Sequence, residues 1–79
     1  MLKLVFLGRL EDIAGAAERS VPLADDVDSL IAGLEPELAR ALREPRVRVA
    51  VNGALVADRA RQPLADGDEI AFLPPVSGA

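Results

Sequence analysis

Five short stretches of the chain show the apolar run or the period-two alternation that predicts a β-strand. The first and the last are the most apolar, so we expect them to lie side by side in the middle of a sheet. An Asn-Gly pair between the third and fourth stretches favours a tight hairpin turn, and a proline in the second favours a position at the sheet edge. The predicted strands are residues 2–7, 18–23, 46–51, 54–56 and 69–73.

Apolar residues spaced three and four apart predict the helical segments. The main helix is predicted over 27–34, where the spacing is i, i+3, i+4 and i+7 and a preceding aspartate pair supplies a cap. A single helical turn is predicted over 10–14, between the first two strands. Pro36 is expected to open a further helical segment as its first residue. In the polar stretch before the last strand, Pro63–Leu64 is expected to form a turn.

The order of these elements predicts an α+β fold. It consists of a mixed sheet of about five strands with one main helix packed on one face. If the first and last strands are adjacent and the long helix is the crossover between them, they must run parallel. This is the β-grasp arrangement, also called ubiquitin-like. We predict a single domain over residues 1–73, followed by an extended, flexible tail over residues 74–79.

Composition narrows the chemistry that this domain can perform by itself. The 79 residues include no cysteine and no histidine, which removes disulfides, thiolate zinc sites and the side chain best suited to proton transfer near neutral pH. We therefore expect no bound metal, no cofactor held by this chain and no catalytic side chain of its own. The missing cysteines are compatible with a reducing compartment, and a cytoplasmic location is expected.

The net charge and the aromatic content of the chain indicate which classes of partner it can bind. A net charge of −4 has the wrong sign for holding phosphate backbones, and two phenylalanines are the only aromatic side chains available for base stacking. We expect no nucleic-acid partner. The apolar stretch at the start is interrupted by charged residues and glycine, so neither a signal peptide nor a membrane partner is expected.

Side-chain parity on the first and last strands predicts a docking surface on the side of the sheet away from the helix. If Lys3 and Glu69 face solvent, then Leu7 and Leu73 meet on the outer side of two adjacent strands. Leu55, from the short return strand, can join them. Single exposed leucines are common, but three that converge beside the base of the tail favour a contact surface for another protein.

The tail is predicted to be a thin arm that leaves the domain. Its two prolines lack backbone donors and have a fixed φ, so they cannot extend the sheet and favour a polyproline-like exit. The slim segment from the second proline onward spans roughly 17 Å when extended. A narrow channel in a partner would admit it, and the group delivered there would be the terminal α-carboxylate. The tail comprises Pro74, Pro75, Val76, Ser77, Gly78 and Ala79.

Three segments carry a family resemblance over nearly the whole chain: "FLGRLEDIAG", "VAVNGALV" and "PLADGDEIAFLPPVSGA". Their sequence and spacing resemble the MoaD-like branch of the ubiquitin-like sulfur carriers in the MoaD/ThiS superfamily, the branch that provides the small subunit of molybdopterin synthase. The most specific part is "DGDEIAFLPPVSG", where an acidic turn leads into an apolar strand, two prolines and a terminal glycine.

The resemblance implies a carrier whose C-terminal carboxylate is adenylated by an enzyme related to ubiquitin activators and then converted to a thiocarboxylate. ATP is used by that activating partner. The resemblance also implies that the tail inserts into the large subunit of molybdopterin synthase and gives its sulfur to a cyclic pterin precursor, in molybdenum cofactor biosynthesis. The chain would be the carrier subunit of a sulfurtransferase complex. The implied sulfur attachment point is Gly78 and Ala79, and the expected partner-binding residues are Leu7, Leu55, Leu73, Pro74, Pro75, Val76 and Ser77.

One departure from the family pattern leaves alternatives open. Such carriers end in Gly-Gly, whereas here Gly78 is followed by Ala79, whose β-carbon restricts φ and adds a methyl group at the reacting residue. One alternative is a sulfur carrier for thiazole or another sulfur-containing product. The other is an interaction module that docks on its partners without transferring sulfur.

Overall fold

Five strands form one mixed sheet in the computed structural model, which describes residues 1–75 except the side chain of Ala60. The first and last strands are neighbours in the interior of the sheet and run parallel, with Leu4 opposite Ile70. The other three pairings are antiparallel, which confirms the predicted β-grasp arrangement. The strands are β1 (Leu2–Phe6), β2 (Glu18–Val21), β3 (Arg48–Val51), β4 (Ala54–Leu55) and β5 (Glu69–Leu73), in the spatial order β2-β1-β5-β3-β4.

Helical segments connect the strands on one side of the sheet: α1 (Arg9–Ala14), α2 (Val27–Ala32) and α3 (Pro36–Leu42). The main helix ends earlier than predicted, where the N–H of Gly33 donates to the carbonyls of Ser29 and Leu30 and closes the last turn. Pro36 is the first residue of the next helix, as predicted. None of the helices within residues 1–75 is long and apolar enough to cross a membrane.

The long connection between β4 and β5 differs from the prediction. Its helical turn forms at Arg59–Arg61 rather than at Pro63–Leu64, so the expected position is wrong. The reason is a tertiary contact: the guanidinium of Arg59 donates to the carbonyl of Leu42 at 2.7 Å and also to the carbonyl of Val47. These bonds hold the connection against the end of α3 and the start of β3.

The hydrophobic core lies between the inner side of the sheet and the helices. Phe6 of β1 and Phe72 of β5 stack there, with ring centroids 5.6 Å apart and an interplanar angle of 13°. The expected parity is confirmed, because Lys3 is exposed whereas the residues on either side of it are buried. Each large side chain buried in this way stabilises the fold by about 1.5–3 kcal/mol. The core also contains Leu2, Leu4, Leu10, Val27, Leu30, Ile31, Leu38, Leu42, Val47, Val49, Val51 and Ile70.

Asp26 caps the start of α2. Its carboxylate accepts a hydrogen bond from the N–H of Ser29 at 2.7 Å, which satisfies a donor that the first turn leaves unpaired. We expect Asp26→Ala to lower the free energy of unfolding by about 1 kcal/mol, measured by urea denaturation. Asp25→Ala is the matched control, because the Asp25 side chain makes no hydrogen bond within residues 1–75. An equal loss in the two variants would contradict the capping role.

Candidate functional site

Leu7 and Leu73 lie next to each other on the side of the sheet that carries no helix. Phe6 is paired with Phe72, and the N–H of Leu7 donates to the carbonyl of Phe72 at 3.1 Å, so the register continues to the next pair of residues. Leu7 is 42% exposed, and Leu73 is half-buried. Two of the three leucines singled out in the sequence are therefore brought together by the parallel pairing of β1 and β5.

Leu55 lies farther away than the sequence pattern alone indicates. It is paired with Ala50 of β3, which is paired in turn with Ala71 of β5. Because neighbouring strands are separated by about 4.8 Å, Leu55 lies roughly 10 Å from β5, with Ala50 between them. Its side chain is 65% exposed, which makes it the most open part of this apolar surface.

The three leucines belong to one continuous apolar surface, which we call the outer face. Val5 and Ala71 face each other across β1 and β5, and Ala50 continues the same row towards β4. The predicted docking surface did not include these three residues, because the prediction was based on the leucines alone. Their shared parity with Leu7 and Leu73 would have identified them. The outer face consists of Val5, Leu7, Ala50, Leu55, Ala71 and Leu73.

Charged residues border the outer face at both ends of the sheet. Lys3 lies between Glu18 and Glu69, with its Nζ 3.5 Å and 3.7 Å from their carboxylate oxygens. At the other end, Arg48 of β3 is opposite Leu73. Exposed ion pairs of this kind add little to stability, so their main effect is to give an apolar surface a polar rim. An apolar centre with a polar rim is the usual composition of a protein–protein interface.

The base of the tail rests against Gly8. Gly8 has φ 54° and ψ −135°, a backbone conformation that favours glycine. A β-carbon placed on Gly8 would lie 2.9 Å from Cγ of Pro74, so the proline ring packs directly on the Gly8 backbone. Both Pro74 and Pro75 are half-buried. The sequence pattern did not single out Gly8 as part of the candidate site, because its contact with Pro74 depends on the pairing of β1 with β5.

The remaining predicted site residues lie outside the described part of the chain. They are Val76 and Ser77, expected to bind a partner, and Gly78 and Ala79, expected to carry sulfur. Their roles stay predictions.

The acidic turn before β5 has a structural role. The Asp68 carboxylate accepts hydrogen bonds from the N–H of Ala65 at 2.9 Å and from Nδ2 of Asn52 at 3.0 Å. The bond from Ala65, and then that from Asn52, lower the pKa of Asp68 below its ordinary value because both favour the ionised form. Asn52 also accepts from the N–H of Glu69 at 3.0 Å. These bonds fix the start of β5, and with it the strand from which the tail leaves.

An open groove of about 940 Å³ lies on the helical side of the molecule. Its lining includes Ile13 of α1 together with Leu34 and Pro36 at the start of α3, and no residue of β5 or of the tail base. Within residues 1–75, no three histidine, cysteine or acidic side chains are arranged to hold a metal ion. The groove is therefore separate from the outer face and the tail base, which together form the candidate functional site.

Comparison with known protein families identifies the chain. A family model described as the ThiS family matches residues 4–78, nearly the whole length. The chain belongs to the ThiS family. This ThiS-family chain is 33% identical over 82 residues to the molybdopterin synthase sulfur carrier subunit of Escherichia coli (strain K12), with 99% of each chain covered. The resemblance to the MoaD/ThiS superfamily inferred from the sequence motifs is confirmed.

Solved structures agree with the fold of this ThiS-family chain. It is 29% identical to a chain in the complex of subunits 1 and 2 of molybdopterin-converting factor from Helicobacter pylori, with a TM-score of 0.70 and coverage of 99% and 97% of the two chains. It is 26% identical to small archaeal modifier protein 1 from Methanosarcina acetivorans, with a TM-score of 0.80 and coverage of 99% and 95%. Proteins with this fold thus include both a subunit of molybdopterin-converting factor and a small archaeal modifier protein.

Proposed function

We propose that this ThiS-family chain is the sulfur-carrier small subunit of a molybdopterin synthase. The observation that carries the proposal is the junction at Leu73 and Pro74, where an apolar outer face passes directly into the base of the C-terminal tail. The likeness to the Escherichia coli carrier subunit over 99% of both chains supports it. The Helicobacter pylori complex supports a large subunit as the partner of this chain.

The chain contributes a carboxylate, and its partners contribute the chemistry. An activating enzyme related to ubiquitin activators binds ATP and transfers AMP to the carboxylate of Ala79, with release of pyrophosphate. The acyl-adenylate then has a good leaving group, so a donor of sulfide-level sulfur displaces AMP at the carbonyl carbon and gives a thiocarboxylate. This division of labour suits a chain without cysteine or histidine, which has neither a thiol nucleophile nor an imidazole base. The use of ATP favours the cytoplasm as its location.

Sulfur delivery takes place in the large subunit. The outer face docks on that subunit, and the tail enters a narrow channel that leads to the cyclic pterin precursor. The thiocarboxylate sulfur bonds to a carbon of the precursor and displaces an oxygen substituent, which gives a thioester between carrier and precursor. Water then cleaves the acyl–sulfur bond, so the sulfur stays on the precursor and the carrier regains its carboxylate. Docking through the outer face holds the tail near the channel, which turns insertion into an intramolecular event.

Intact-mass measurement tests this function. Incubation with ATP, a sulfur donor and a cognate activating enzyme is expected to raise the mass of the chain by the difference between one sulfur atom and one oxygen atom. Omission of ATP is the control, because without the adenylate there is no leaving group and the mass stays unchanged. No mass gain with an enzyme that loads its own carrier would remove the carrier role.

The residue at the terminus favours a second candidate, an interaction module that docks without transferring sulfur. Ala79 adds a methyl group where the family pattern has glycine, and overpacking in a tight channel costs about 1–3 kcal/mol. Comparison of the unsubstituted chain with Ala79→Gly distinguishes the sulfur carrier from the interaction module. Loading of the glycine form alone, with equal binding of both forms to the large subunit, would support the module. Equal loading would support the carrier.

A further inference from the structure

Gly8 differs from the other glycines that the structure describes. Gly15, Gly53 and Gly67 also have positive φ, between 79° and 90°, but a β-carbon on any of them would meet nothing within 4 Å. At Gly8 the added atom would lie 2.9 Å from Cγ of Pro74, 3.8 Å from its Cδ and 3.9 Å from its Cβ. Gly8 therefore provides both an unusual backbone conformation and space for one particular ring.

The contact between Gly8 and Pro74 lies directly after the last paired residue of β5. The N–H of Leu7 donates to the carbonyl of Phe72, and the last paired residue of β5 is Leu73, opposite Arg48. Pro74 has no N–H, so it cannot donate a ladder bond that would orient it. The Gly8 backbone thus supports the chain directly after the sheet ends.

The direction taken at Pro74 propagates along the tail. Pro74 and Pro75 both have φ fixed near −65°, so the direction set at the first ring is carried through the second. When the tail is held extended, as in a narrow channel, it spans roughly 17 Å, and a change of about 20° at its base displaces its end by about 6 Å. A displacement of this size is large compared with the tolerance of a reacting group, for which about 1 Å matters.

We propose that Gly8 is the positioning residue of the tail. Because Gly8 has no side chain, the ring of Pro74 packs on its backbone, and this contact sets the direction in which the tail leaves the domain. The consequence for reaction rests on the proposed function, since it assumes that the terminal carboxylate reacts inside a partner. Gly8 does not touch the reacting atoms, and it acts only through Pro74.

Three variants test the proposal. Gly8→Ala places a methyl group against the Pro74 ring in a backbone conformation that disfavours alanine. Gly67→Ala is the matched control, because it has positive φ with no atom within 4 Å and lies at the opposite end of β1, where its N–H donates to the carbonyl of Met1. Gly8→Ala combined with Pro74→Ala removes the ring atoms that the new methyl group would meet.

Steady-state loading by the activating enzyme gives the functional readout. We expect Gly8→Ala to lower kcat by about tenfold to a hundredfold with KM changed less than about threefold, because the folded domain still binds the activating enzyme but the carboxylate is misdirected. Gly67→Ala is expected to stay within about twofold of the natural chain in both constants. Adding Pro74→Ala to Gly8→Ala relieves the clash but leaves the tail without the contact that directs it, so kcat is expected to recover only in part. Loss of kcat in Gly67→Ala equal to that in Gly8→Ala, or full recovery of kcat on adding Pro74→Ala, would overturn the proposal.

NMR of the free chain gives a readout that does not depend on sulfur transfer. A nuclear Overhauser contact between the Gly8 α-protons and the Pro74 γ-protons is expected in the natural chain and in Gly67→Ala, and its loss is expected in Gly8→Ala. Its absence in the natural chain would overturn the proposal whatever the kinetics. If the natural chain shows the contact but is never loaded by an active enzyme, the proposed function fails and the seating of Pro74 by Gly8 stands.

Discussion

Conversion of the C-terminal carboxylate to an amide is expected to abolish sulfur loading while leaving the fold unchanged. Adenylation needs a carboxylate oxygen to attack the α-phosphorus of ATP, and a primary amide is a far weaker nucleophile. The fold should be unaffected, because β5 ends at Leu73 and the core lies within residues 2–72. The chain can be made by chemical synthesis with either ending, and intact mass after incubation with ATP, sulfur donor and activating enzyme measures the result.

The synthetic chain with a free carboxylate is the control for the amide. The two forms should have the same thermal unfolding midpoint, and their affinities for the large subunit should agree within about threefold, since docking depends mainly on the outer face. A sulfur mass gain in the amide form would show that a group other than the terminal carboxylate carries the sulfur.

Leu7→Asp is expected to weaken binding to the large subunit by about a hundredfold. Leu7 lies beside Leu73 in the row of the outer face next to the base of the tail, and truncation of an anchoring side chain in an interface costs about 2–4 kcal/mol, to which a buried charge adds. Leu55→Asp should weaken binding less, by about tenfold, because Leu55 lies roughly two strand spacings from β5 at the open edge of the outer face. Isothermal titration calorimetry with the large subunit measures both changes.

Leu23→Asp is the matched control for the sheet substitutions. Leu23 is 53% exposed, close to the 42% of Leu7, but it follows β2 at the end of the sheet where β1 begins. Its replacement should change affinity by less than about twofold, and all three variants should keep the cooperative unfolding of the natural chain. Equal weakening by Leu23→Asp and Leu7→Asp would mean that the outer face is not the docking surface.

The secondary structure could be predicted because burial imposes a period on the sequence. Alternation on the first and last strands predicted correctly that Lys3 is exposed while its neighbours are buried. Asn52 and Gly53 predicted a tight turn, and both have the positive φ that such a turn requires, 50° and 86°. The aspartate cap was also local information, since the carboxylate of Asp26 reaches the N–H of Ser29 within one turn.

The elements that were misplaced depend on contacts between residues far apart in the chain. The helical turn at Arg59–Arg61 follows from the bonds that Arg59 makes to the carbonyls of Leu42 and Val47, and nothing in the local sequence encodes those partners. The distance of Leu55 from β5 likewise depends on β3 lying between them. Strand order is decided by the packing of the whole sheet, so a surface assembled across several strands could be predicted only in part.

The sequence by itself determined the strands, the caps, the lack of thiol and imidazole chemistry, and a family pattern that covers nearly the whole chain. These are properties of composition and local spacing, which burial and backbone sterics convert directly into structure. Only the tertiary structure decided that the outer face is continuous through Ala50 and Ala71 and that Pro74 rests on Gly8. The first depends on the pairing of β3 with β5, and the second on the pairing of β1 with β5, which brings residues more than sixty positions apart into contact.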